Sequence, residues 1–191
     1  MPSAPLAPAG GVLLYGASPA LNERGVRPMR PAIYSLPQRA LHWLMALLIF
    51  FNLIFSDGME HWARLMRHGQ PATPDDVGAA NIHAYVGIAI LVLALCRLVL
   101  RLVQGAPEPP ADEPPILRLA AKATHSLLYI LFFAMPLSGI ARYYFGVEVA
   151  GFLHGGPMKV LLWALIATHV AGALAHQFLW KSNVLARMTR G

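Results

Sequence analysis

Four long apolar runs alternate with short polar or proline-rich connections along residues 38–191. The first covers about 39–56 and opens "QRALHWLMALLIFFNLIF". The second, "NIHAYVGIAILVLALCRLVLRLV", covers about 80–102. The third, "KATHSLLYILFFAMPLSGIARYYF", covers about 119–143, and the fourth, "PMKVLLWALIATHVAGALAHQFLW", about 157–180. Each is near the roughly 20 residues that an α-helix needs to cross a bilayer. Pro37 and Pro157 suit a first helical turn, where a missing N–H costs nothing. The linker "QGAPEPPADEPP" breaks the pattern between the second and third runs, and Pro136 predicts a kink inside the third. Residues 1–37 are rich in Pro, Gly and Ala and hold no span, so a disordered amino-terminal arm is expected there. Its "GVLLYGA" is too short for a signal-peptide core. No internal repeat is present. The pattern predicts an all-α integral membrane protein, a four-helix transmembrane bundle over residues 38–191.

Composition agrees. The chain is 57% hydrophobic and 13% charged, against the roughly 25% charged of soluble domains. A net charge of +6 could suggest nucleic acid. The cations are instead sorted by connection. Arg24, Arg27, Arg30, Arg39, Arg97, Arg101, Arg118, Lys122, Lys181, Arg187 and Arg190 fall at one end of the bundle, and only Arg64, Arg67, Arg142 and Lys159 at the other. The positive-inside rule then puts both termini in the cytoplasm, with lipid and not nucleic acid as the surrounding partner. The lone Cys96 excludes a disulfide framework and a c-type haem attachment site, and is expected to be a small buried apolar residue.

The histidines change the picture. Of eight, His42, His125, His169 and His176 lie within spans and His83 just inside the second; His61, His68 and His154 lie in the outer connections. An imidazole in hydrocarbon must be bonded, paired or ligated. One such residue could simply bond a backbone carbonyl, but five spread over four spans share a purpose. A zinc site would want four clustered ligands, and no His-x-x-x-His spacing is present. A proton relay would want membrane carboxylates, and the spans hold none. Haem fits better, with imidazoles from two helices and small residues beside them: Ala46 four after His42, Gly87 four after His83, and "ATHVAGALAH" around His169. The same small residues also serve plain helix packing. His154 and His169, fifteen apart, would be about 22 Å apart along a helix. That spacing sets one ligand near each membrane surface and suggests two haems.

The motifs "ALHWLMALLIF", "NIHAYVGIAILVLALCRLVLRL", "HSLLYILFFAMPLSG" and "THVAGALAHQFLWKSNVLARM" resemble the bacterial cytochrome b561 family, close to its superoxide:quinone oxidoreductase branch. The resemblance covers about residues 38–190. It implies a dihaem membrane cytochrome b of the bacterial inner membrane. It also implies that His42 and His169 ligate a cytoplasmic-side haem b and that His83 and His154 ligate an outer one. His61 or His68 is the alternative outer ligand, because "HGGP" precedes the helix start expected at Pro157. His125 and His176 match positions near the family's quinone site, or else bond to haem propionates or backbone. Arg97, Arg101, Lys122 and Lys181 either line that pocket or serve as membrane-surface anchors.

Two imidazoles per iron leave no open position, so electron transfer rather than oxygen binding is expected. The implied activity passes electrons from superoxide, or another one-electron donor, to ubiquinone, with no acid–base catalytic residues. The alternative is a haem-bearing anchor subunit for a dehydrogenase or hydrogenase, with a redox partner protein docked on it. A colourless transport or structural protein is the third reading. Against superoxide, the outer connections carry four cations and the five carboxylates Asp57, Glu60, Asp75, Asp76 and Glu148, which offers no cationic funnel.

Overall fold

A computed structural model describes residues 33–110 and 113–190; most of the amino-terminal arm expected at 1–37 lies outside them. The main elements are α1 (Leu36–Ile54), α2 (Asp57–Arg67), α3 (Pro74–Gln104), α4 (Pro115–Phe145), α5 (Glu148–Leu153), α6 (Lys159–Phe178) and α7 (Ala186–Thr189). Among the described residues there is no strand. Four helical segments are long and apolar enough to cross a membrane: Leu36–Ile54, Pro74–Gln104, Pro115–Phe145 and Glu148–Phe178. This is the expected all-α membrane bundle.

Local chemistry sets the helix starts. Ser35 and Gln38 form a reciprocal capping box ahead of α1, and Thr73 and Asp76 do the same for α3. Proline occupies the first turn of α1, α3 and α4. α4 runs as one helix through the buried Pro136.

The fourth span differs from expectation. It begins at Glu148, nine residues before Pro157, so His154 lies inside a helical segment. The chain passes "HGGPM" as a π-helical turn, with Gly156 at φ −106° and ψ −108°. These angles are not helical, so two helical segments meet at a kink at Gly156, just before Pro157. The pattern also missed α2. Its Met59, Trp62, Ala63 and Met66 recur at helical spacing, and they line one side of a short amphipathic helix.

Close backbone packing joins α1 to α3, α3 to α4 and α4 to α6; α2 packs on α3. α1 and α6 are not closely packed, which leaves a seam between the first and fourth spans. The core is one thin layer: Met45 and Ile49 of α1, Ile90 and Ala94 of α3, Leu128 and Leu131 of α4, Leu162 and Leu165 of α6. Most other large apolar side chains face outward, among them Leu102, Val103 and Phe152. Lipid tails receive them, so burial within the bundle is not what holds them. Cys96 is also on this outer surface and not buried as expected. At a helix–lipid boundary an apolar thiol needs no protein neighbour.

Both ends of the described chain lie at one end of the bundle. Trp43 Nε1 donates to the Met188 carbonyl (3.1 Å), and Ser35 Oγ to Gln104 Oε1 (2.6 Å). There the buried Gln38 amide donates to the carbonyls of Gly105 (2.9 Å) and Leu100 (3.4 Å) and so covers the carboxyl end of α3.

Candidate functional site

The apolar layer separates two groups of histidines. At the terminal end, His42 of α1 faces His169 of α6 with ring centroids 6.1 Å apart and planes at 67°. His125 of α4 lies 5.1 Å from His169, edge to face. At the opposite end, His83 of α3 faces His154, again with centroids 6.1 Å apart, planes at 73°. Each pair joins two helices. The fold thus sets the members of each pair implied by the family resemblance beside one another, and sets His125 closer still to His169. His61 instead pairs with Asp76 at 3.4 Å on the exposed side of α2, and His68 is exposed beyond that helix. Neither lines the cavity described next.

A cavity of about 760 Å³ adjoins the His83–His154 pair. Its walls are largely apolar, with Ile49, Leu131, Phe132 and Leu162 at its floor, and α2 covers its mouth through Met59, Trp62 and Ala63. Small residues make the room. Gly139 packs directly on the His154 ring: a Cβ there would stand 3.1 Å from Cε1 and 3.4 Å from Nδ1. Gly87 is looser, with Asn52 Nδ2 at 3.8 Å from such a Cβ. Asn52 also donates to the His83 carbonyl at 3.1 Å, tying α1 to α3. Sequence reasoning missed Asn52, Ser138 and Gly139. Their only signal was small or polar character inside an apolar run.

Hydrogen bonding fixes one tautomer. His154 Nδ1 lies 2.8 Å from the Met135 carbonyl, which can only accept, so Nδ1 carries the proton. Ser138 Oγ is 3.1 Å from the same nitrogen. Nε2 is left with its lone pair, the form in which histidine binds a metal, with its other nitrogen held by a carbonyl. His83 Nδ1 and Asn52 Oδ1 are buried without a partner. A 6.1 Å centroid separation leaves room between facing rings for one metal ion at imidazole–metal bonds of about 2 Å. The donor set fits haem iron: two neutral imidazoles, a large apolar slot and no carboxylate ligand. Among the described residues no cluster of three His, Cys, Asp or Glu could hold a bare metal ion.

At the terminal end Arg97 Nη1 donates to the Gln38 carbonyl (3.0 Å), and Arg101 lies over the Tyr129 ring at 5.8 Å. The Arg39 Nε is buried with no partner, a donor that suits an anionic group such as a propionate. His176 stands apart from the other histidines, two turns beyond His169 on α6, against Ser182, Trp180 and Glu113.

The charge at the cavity mouth overturns one expectation. All four outer cations, Arg64, Arg67, Arg142 and Lys159, line the cavity. Of the five outer carboxylates only Glu60 and Glu148 do. Arg142 pairs with Glu148 and Lys159 with Glu60, whose carboxylate Arg64 also attracts, while Arg67 has no acid partner among the described residues. Counting charges by connection hid this, because helix orientation decides which ones face inward.

Residues 33–191 match the family model described as prokaryotic cytochrome b561. The chain belongs to the prokaryotic cytochrome b561 family. Members of that family bind haem b and transfer electrons within membranes. A cytochrome b562 of Cereibacter sphaeroides is 35% identical over 82% of this chain and 95% of its own length. A probable superoxide oxidase, CybB, of Yersinia pestis is 29% identical over 81% of this chain and 94% of its own. Cytochrome b561 homolog 2 of Escherichia coli is 27% identical over 83% and 81%. This cytochrome b561 family chain is thus a multi-pass bacterial membrane protein of electron transfer.

Proposed function

We propose that the chain is a dihaem cytochrome b that carries electrons between a one-electron donor, foremost superoxide, and ubiquinone in the bacterial inner membrane. His42 and His169 hold one haem at the terminal end, and His83 and His154 hold the other beside the cavity. Held by these histidines, haem would supply one-electron transfer. The observation that carries this reading is the pair of facing histidines on each side of one apolar layer.

The chain's own residues have defined tasks in this reading. Met135 and Ser138 hold His154 in the tautomer that presents Nε2, and Gly139 leaves the ring its place. α2 lines the cavity through Met59, Trp62 and Ala63. Arg64 and Arg67 raise the local concentration of an anion at the mouth. This supports superoxide as donor, in keeping with the printed name of the Yersinia pestis relative. The cation-rich terminal end faces the cytoplasm, as the positive-inside rule requires.

The test is the reduced-minus-oxidised spectrum of purified protein with haem counted per chain. Two low-spin b haems are expected. His154→Ala should leave one, as should His42→Ala, each with a different residual potential. Retention of both haems by either variant would overturn the ligand assignment.

A further inference from the structure

The apolar run "LMALLIFFNLI" of α1 holds one polar side chain, Asn52. A polar amide at membrane depth has to be hydrogen-bonded, and Asn52 is only half bonded. Its Nδ2 donates to the His83 carbonyl at 3.1 Å. A carbonyl can only accept, so this contact turns the NH₂ toward α3 and leaves Oδ1 over. Asn52 Oδ1 is buried and has no partner among the described residues. The same holds for His83 Nδ1.

The two orphaned atoms are complementary and belong to residues already in contact. When Nε2 of a neutral imidazole ligates a metal, Nδ1 carries the proton and is a donor. The amide oxygen is an acceptor. The amide lies against this turn of α3: a Cβ at Gly87, one turn beyond His83, would meet Asn52 Nδ2 at 3.8 Å. In the facing ring the same need is already met, since His154 Nδ1 lies 2.8 Å from the Met135 carbonyl and 3.1 Å from Ser138 Oγ. His83 and Asn52 both line the cavity, and the His83 ring is the one of the pair without such an anchor. Asn52 follows His42 by ten residues, about 15 Å along α1. One helix thus offers an imidazole to the terminal histidine group and an amide to the other.

We infer that Asn52 Oδ1 accepts the His83 Nδ1–H when Nε2 holds iron, so that Asn52 fixes the ring and sets the potential of the haem beside the cavity. The inference rests on the haem reading above. The His83 ring is the part left to turn, because the amide is already held by the His83 carbonyl. An imidazole whose N–H is accepted is a more basic ligand, which favours ferric iron and lowers the potential. Asn52 acts through His83 and is a positioning residue.

The test compares Asn52→Leu, which loses donor and acceptor, with Asn52→Asp, which loses the NH₂ but keeps an acceptor oxygen. Both are made in full-length protein loaded with excess haem. The readouts are haem per chain, the midpoint potential of each haem, and redox-difference infrared spectra with isotope-labelled histidine, which read whether a ligand's ring N–H is hydrogen-bonded. Asn52→Leu should weaken haem binding at the His83–His154 site roughly 10–100-fold. It should also raise that haem's potential and leave one ligand N–H unbonded, with the His42–His169 haem unchanged. Asn52→Asp should keep both haems, a potential no higher than native and the bonded N–H. Loss of the cavity-side haem from Asn52→Leu alone supports the inference. Native potentials and infrared spectra in Asn52→Leu would overturn it and leave the haem reading standing, as would the same loss in both variants, which reduces Asn52 to its tie to the His83 carbonyl. Native protein with no haem at His83–His154 would overturn the haem reading and this inference with it.

Discussion

Replacing Gly139 by valine tests the cavity most directly. Even the first carbon of a side chain at this position would stand 3.1 Å from His154 Cε1 and 3.4 Å from Nδ1. Carbon atoms prefer separations of about 3.5–4.0 Å. An alanine asks the ring to shift by a few tenths of an ångström; the branched carbons of valine ask for more. The ring has little freedom to give, since Nδ1 is fixed 2.8 Å from the Met135 carbonyl and 3.1 Å from Ser138 Oγ. Breaking such an arrangement costs about 1 kcal/mol of hydrogen bonding. Disturbing the partner that orients a ligating histidine lowers metal affinity roughly 10–100-fold. The assay is haem per chain with reduced-minus-oxidised spectra under limiting haem. Gly139→Val should lose the haem of the His83–His154 pair and keep that of His42–His169. Gly87→Ala is the control: its Cβ would meet Asn52 Nδ2 at an ordinary 3.8 Å, and both haems should remain. A Gly139→Val protein with two haems and native spectra would refute the claim that this glycine makes room for a ligand.

Other perturbations give distinct signatures. Gln38→Leu removes the buried amide that joins the carbonyls of Leu100 and Gly105, and should destabilise the bundle by about 1–3 kcal/mol in detergent unfolding. Arg64→Gln with Arg67→Gln should slow superoxide oxidation and weaken its dependence on ionic strength; unchanged rates at low salt would remove the steering role. The hydrogen bond from the Lys159 ammonium, helped by Ser56, holds the half-exposed Glu60 carboxyl below the usual carboxylate range. Its folded value lies under its unfolded one, so the pair stabilises fully above the unfolded value and is lost as pH falls through the folded one. For so exposed a pair the effect is at most about 1 kcal/mol. Amide exchange in α2 should therefore speed up on acidification, and Glu60→Gln should show that faster exchange already at neutral pH.

Much of this was legible in the sequence because two periods run through it. Apolar runs of bilayer length marked the spans. The number of histidines within apolar spans pointed to a cofactor, and the pairing of His42 with His169 and of His83 with His154 followed from the family resemblance. Three features depended on tertiary contacts. The fourth span was started at Pro157, because Gly155, Gly156 and Pro157 read as a break; the backbone does kink at Gly156, but a helical segment precedes the kink and carries His154 at its end. α2 was passed over as a connection, since eleven residues of mixed polarity make no span. Glu113 sits among prolines in a segment that reads as solvent-exposed linker, and its burial comes from α4 and the tail closing around it. The charge at the cavity mouth was misjudged for the same reason, because Asp57, Asp75 and Asp76 turn away from it.

The apolar layer of Met45, Ile49, Ile90, Ala94, Leu128, Leu131, Leu162 and Leu165 has an electrical consequence. None of its side chains can carry a proton, and the histidines stop on either side of it. If the two histidine groups hold haems as proposed, an electron passing between them would cross without a compensating proton. Moving a full charge through the whole membrane field is worth about 2.3 kcal/mol per 100 mV, and the layer spans part of that field. In the proposed dihaem reading, the membrane voltage would act on each electron that crosses this layer, while the layer's own side chains offer a proton no path.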